Sequence, residues 1–148
     1  MSTPIVRDSG SNIVVTSAHA IANNAYANSA DVMNISQASI GTAYLLADFR
    51  LTSVTFATAP VGGVLQLAKV PRDLSGNIGP TPSATLVPAQ VWTFGPMPAA
   101  SNASTGWIMS IDSVPLDPNA DYWVYNNGTG YSLNSGWVLT AQPWSPGT

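Results

Sequence analysis

The chain has no cysteine and no glutamate. The first absence excludes disulfides, thiolate metal sites and thiol nucleophiles together. The second leaves every acid, base or carboxylate-ligand role to seven aspartates. Histidine occurs once, as His19, so a nucleophilic triad has a single candidate base. Positive charge is as scarce: Arg7, Arg50, Lys69 and Arg72 are scattered, and two of them adjoin Asp8 and Asp73. With a net charge of −3, the chain lacks the clustered cations that phosphate recognition requires, which argues against a nucleic-acid partner. No apolar run approaches the roughly 18 residues of a membrane span, which argues against a membrane partner. The first ten residues, MSTPIVRDSG, show neither the basic nor the apolar region of a secretory signal.

Charged residues make up only 7% of the 148 positions, against about 25% in an ordinary globular protein. Ser, Thr, Asn, Gly and Pro supply the polarity instead. A surface so poor in charge is weakly protected against association, and reads as one made to meet neighbours. The length and the 45% hydrophobic content fit one domain with a substantial core.

What is present is β-strand patterning. The organising stretch is 114–144, VPLDPNADYWVYNNGTGYSLNSGWVLTAQPW. It reads as a strand ending near Leu116, a turn at Asp117-Pro118-Asn119-Ala120-Asp121, an aromatic strand over 122–125, a turn through Asn126-Asn127-Gly128-Thr129-Gly130, and a returning strand over 131–139. An Asn-Gly pair between aromatic and β-branched runs is a hairpin signal, because such turns need positive φ. This reading makes the C-terminal meander the core of one sheet.

Upstream, 13–16 and 32–35 read as short strands, and the Ala/Asn-rich 17–30 as irregular. Over 44–58 the apolar parity of Phe49 and Leu51 gives way to that of Val54 and Phe56. A slip of one residue near Thr52-Ser53 predicts a bulge or bend. Residues 64–70 are apolar on both faces and read as a central strand. The composition of 71–82 predicts a loop with its tip at Ser75-Gly76-Asn77. Short strands follow at 84–87 and 90–94, a second loop at 95–105, and an alternating strand at 107–114. The residues from Pro143 to Gly147 read as a tail. Eight to ten short strands with frequent turns predict an all-β, jelly-roll-like antiparallel β-sandwich. The expected organisation is an extended N-terminal arm at 1–12, a single domain at 13–144 and a C-terminal tail at 145–148.

Residues able to do chemistry are few. His19 could serve as a base or metal ligand, but its setting of small residues favours a surface or hydrogen-bonded side chain. Asp48, Asp112, Asp117 and Asp121 are the carboxylates from which a glycosidase-like pair could be drawn. The alternation Asp117, Asn119, Asp121 is that of oxygen ligands in calcium loops, yet the glycine and distal glutamate of such a loop are missing, and a turn explains it better. The reading is therefore a protein that is not an enzyme and holds no cofactor or metal. The five tryptophans are also the raw material of a carbohydrate-binding module, in which sugars stack on exposed rings; Trp144, between Pro143 and Ser145, is expected to be the most exposed.

The segments AYLLADFRLTSVTFATAPVGGVLQLAKV at 43–70 and VPLDPNADYWVYNNGTGYSLNSGWVLTAQPW at 114–144 resemble tailed-bacteriophage virion proteins of the small β-sandwich kind, in particular capsid decoration (cement) proteins. The resemblance covers about half the chain and brings no catalytic residues. It implies a virion structural protein on the outer capsid surface, assembled in the host cytoplasm. Its partners would be the major capsid protein and further copies of itself, as a homo-oligomer (dimer or trimer). The contacts expected on exposure and composition are Ile5, Val6 and Arg7 in the arm, Arg72, Leu74 and Ile78 in the 71–82 loop, and Trp144 in the tail. The competing expectation is a carbohydrate- or receptor-binding β-sandwich module of a tail fibre or adhesin.

Overall fold

The computed structural model describes residues 7–16, 18–36, 40, 44–98, 106–117 and 119–147. Ile5 and Val6 lie outside them. Ten strands occur among the described residues: β1 (Arg7–Ser9), β2 (Ile13–Val15), β3 (Ala25–Tyr26), β4 (Met33–Ser36), β5 (Leu46–Val54), β6 (Val64–Pro71), β7 (Gln90–Thr93), β8 (Trp107–Pro115), β9 (Asn119–Asn127) and β10 (Val138–Pro146). They form two five-stranded antiparallel sheets. In the first, β10 pairs β1 and β2 on one side and β5 on the other, and β5 pairs β8. In the second, β9 pairs β3 and β4 on one side and β6 on the other, and β6 pairs β7. From β2 onward the chain passes between the sheets at six of its eight connections, β3–β4 and β6–β7 being the exceptions, a winding like that of a jelly roll.

Alternation along the strands explains the core. Ala47, Phe49 and Leu51 of β5, Leu65 and Leu67 of β6, Tyr122 and Val124 of β9, and Leu139 and Ala141 of β10 are all fully buried between the sheets. The Phe49 and Tyr122 rings meet across the sandwich at 5.2 Å. The parity slip in β5 is a real bulge: Leu51 pairs with Met109 and Val54 with Trp107, so three steps on β5 match two on β8, and Ser53 takes φ 54°. Val54 and Phe56 thereby return to the core. The mirror irregularity sits in β8, where Ser113 takes φ 57° and its N–H donates to Asp48 Oδ1 at 2.9 Å. β6 is central, as its two-faced apolar pattern predicts, with Ala68 and Val70 buried against Trp123 on the outer side.

Four expectations need correction. The C-terminal stretch is not a meander: β9 and β10 lie in opposite sheets, and the Asn-Gly segment carries the chain from one to the other. The buried Asn126 side chain holds that connection by donating to Ile21 O at 3.1 Å and Tyr131 O at 2.8 Å. The 84–87 strand does not form; Ser83 and Leu86 bond each other's backbone in a turn, leaving one connection from Arg72 to Ala89. The described part of the arm, Arg7–Ser9, is a sheet strand, and the tail is too, since β10 runs to Pro146. Asn119 and Asp121 belong to β9 rather than to a turn.

Candidate binding surface

The registers place the ends of the strands. β1 begins, β4 ends, β5 begins, β6 ends, β7 begins, β8 ends, β9 begins and β10 ends at one end of the sandwich. Backbone bonds from Leu116 N–H to Leu45 O (2.9 Å) and from Arg72 N–H to Asn119 O (3.3 Å) tie the segments there together. The topology thus gathers Arg7, Arg72, Leu74, Ile78 and Trp144 at this single end, although they are far apart in the chain.

Their roles divide. Arg7 and Trp144 meet each other: the guanidinium lies 4.2 Å over the Trp144 ring and donates to Asp48 Oδ2 at 2.6 Å, while Trp144 Nε1–H donates to Asp48 Oδ1 at 3.0 Å. Trp144 is therefore half-buried with one face covered, and not the free sugar platform its proline-flanked position suggests. Burial alone would raise the Asp48 carboxyl pKa, but the bonds from Ser113 N–H, Arg7 and Trp144 and the charge of Arg7 hold it below the usual range. Arg72 is an anchor: it grips both oxygens of buried Asp121 and donates to Gly76 O at 3.2 Å.

Leu74 and Ile78 are displayed. Leu74 is as exposed as in an extended chain (106%), and Ile78 is 71% exposed. The loop tip beneath them is braced by Asp73, whose carboxylate accepts from Ser75 N–H (2.9 Å), Asn77 N–H (2.8 Å) and Asn77 Nδ2 (2.7 Å). Hydrogen bonds from the Asn77 side chain and backbone hold the Asp73 carboxyl pKa below its ordinary value. Three more apolar side chains stand exposed at this end, Leu45, Leu86 and Val87; sequence reasoning missed them, having placed all three in strands, at 44–58 and 84–87. Between the loop and the end of β6 is a cleft of about 360 Å³ walled by Pro80, Pro82, Leu86, Val87 and Pro88. Buried Lys69 lines it, paired with Asp117. Next to Lys69 in register is Tyr122, whose buried hydroxyl has no hydrogen-bond partner among the described residues. Burial, aided by the charge of Asp117, pushes its pKa well up.

The candidate chemical residues are arranged differently. Asp117 stands apart, paired with Lys69; Asp121 is paired with Arg72, and Asn119 Oδ1 and Asp121 Oδ1 both accept from Asn34 Nδ2, at 3.3 and 3.2 Å. Among the described residues no three metal-ligating side chains stand together. Asp48 and Asp112 also face cations, Arg7 and Arg50. For Asp48 the bonds and charge that hold its pKa down favour the ionised carboxylate, the reverse of what a general acid needs. His19 lies at the opposite end, where Asp31 Oδ2 accepts its backbone N–H at 2.7 Å and stands 2.9 Å from Nδ1. Each of the four Lys and Arg side chains is thus paired with a different aspartate. No protein-family model matches the chain, and no curated protein sequence is significantly similar to it.

Proposed function

We propose that the chain is a non-enzymatic virion structural protein that binds the outer capsid surface and cements neighbouring capsid subunits through the apolar end of its sandwich. The observation that carries this reading is the display of Leu45, Leu74, Ile78, Leu86 and Val87 at one end, in a protein whose four cations are already paired with aspartates. Burying one such side chain in a complex is worth about 1.5–3 kcal/mol. The braced loop reduces the ordering cost that binding would otherwise carry. Cementing follows from mass action, since whatever binds the closed lattice and not its separated subunits stabilises the lattice. Several copies acting together would strengthen the effect.

The test is co-sedimentation of the purified protein with expanded, empty capsids of the tailed phage that encodes it. Stoichiometric binding with raised resistance of the capsid to heat supports the reading, and binding should be lost in Leu74→Asp/Ile78→Asp. No sedimentation with capsids would refute it.

A further inference from the structure

The outer face of the first sheet carries a second feature, away from the apolar loop. Asp48 and Arg50 of β5 stand directly opposite Gln142 and Thr140 of β10. Their strand neighbours Ala47, Phe49, Leu51, Leu139 and Ala141 point into the core, so these four side chains form a polar block on the outside. With Asn12, which leads into β2, they enclose a cleft of about 150 Å³. This is room for a single small ring.

The groups differ in how far they are committed. Asp48 is held by Arg7, Trp144 and Ser113 N–H, and Arg50 by Asp112 (2.7 Å) and Phe49 O (3.0 Å). The side chains of Asn12, Thr140 and Gln142 hold no hydrogen bond to the described protein, and offer two amides and a hydroxyl to a ligand. Charge is balanced at the cleft, since Arg7 and Asp48, and Arg50 and Asp112, are ion pairs. A carboxylate at the floor disfavours anions, and the neighbouring guanidinium groups disfavour cations. The rim is apolar on two sides. Val14, opposite Thr140, is 48% exposed, and Trp144, two residues beyond Gln142 on the same face, stands beneath Arg7. Planar amides, a hydroxyl and a fixed carboxylate beside an apolar rim match a ligand that donates and accepts through hydroxyls and presents C–H groups at its edge.

We infer that this cleft is a saccharide-binding site for one neutral sugar ring, recognised by its hydroxyls through Asn12, Asp48, Arg50, Thr140 and Gln142. Stacking on Trp144 is not the mode, because Arg7 occupies a face of that ring; the tryptophan acts through Asp48, whose Oδ1 accepts its indole N–H at 3.0 Å.

The probes are maltohexaose, cellohexaose, xylohexaose and chitohexaose, titrated into the isotope-labelled full chain and followed by NMR. At least one should shift the side-chain amides of Asn12 and Gln142 and the Trp144 indole N–H. The double substitution Thr140→Ala/Gln142→Ala, at two half-buried positions on the outer face, should weaken that sugar by about tenfold or more, as loss of hydrogen bonds in a polar site does, with the folded spectrum otherwise unchanged. Leu74→Asp should leave sugar affinity unchanged, which separates this site from capsid docking. Absence of any shift with all four sugars at millimolar concentration, shifts confined to other residues, or equal affinity in the double variant would overturn the assignment.

Discussion

Asn126→Ala should destabilise the fold more than any other single hydrogen-bonding substitution in the connection between β9 and β10. The side chain is fully buried. It donates to Ile21 O at 3.1 Å and to Tyr131 O at 2.8 Å, and its Oδ1 lies 2.5 Å from Thr129 Oγ1. Three hydrogen bonds are lost at about 1 kcal/mol each. Ile21 O keeps Leu133 N–H, and the single Thr129 hydroxyl proton, released from Asn126 Oδ1, turns to Tyr131 O at 2.8 Å and recovers one bond, so no large additional penalty for an unpaired group arises. The expected net loss is about 2 kcal/mol, a fall in Tm of about 6 °C for a domain of this size. Urea denaturation should show a lower midpoint with the slope unchanged. Asn127→Ala is the control: its side chain makes one bond, to Gln66 Oε1 at 3.1 Å, and should cost about 1 kcal/mol or less. Equal losses in the two variants, or a larger loss at Asn127, would refute the argument that a buried amide, rather than Asn-Gly turn chemistry, holds this crossing.

Gly63 should not tolerate alanine. A Cβ there would stand 2.3 Å from the Gly128 carbonyl carbon, at φ +70°, so Gly63→Ala should cost about 3 kcal/mol or more through overpacking and backbone strain, read from chemical denaturation. Acid sensitivity should trace in part to Asp48. Its folded pKa lies below the unfolded value, so its contribution is present above the ordinary carboxylate pKa and is lost as pH falls through the depressed folded one. Asp48→Asn should flatten that part of the stability–pH curve, and an unchanged acid limb would contradict the assignment.

The legible parts of the fold were those set by local parity. The slip at Thr52-Ser53 announced the β5 bulge because a shift of one residue exchanges the faces of a strand. The two-faced pattern of 64–70 announced a central strand for the same kind of reason. Pairing across distance was not legible. Positive φ at Gly128 and Gly130 serves a crossing between sheets as well as it serves a hairpin, so the Asn-Gly signal could not say which sheet receives the next strand. Leu86 and Val87 have strand propensity but no neighbouring strand to pair with, and they became an exposed wall. Of the expected contacts, Leu74 and Ile78 stand exposed, as the composition of their loop suggests. Arg7, Arg72 and Trp144 were placed at the same end, but their partners Asp48 and Asp121 come from strands that no local pattern could have joined to them.

The most direct test of the docking account is an electron cryomicroscopy reconstruction of capsids saturated with the protein. The account predicts density for the sandwich seated with Leu45, Leu74, Ile78, Leu86 and Val87 against the shell, and the opposite end, with Val61 and Tyr131, facing solvent. A molecule bound by that opposite end, or capsids left bare, would contradict it.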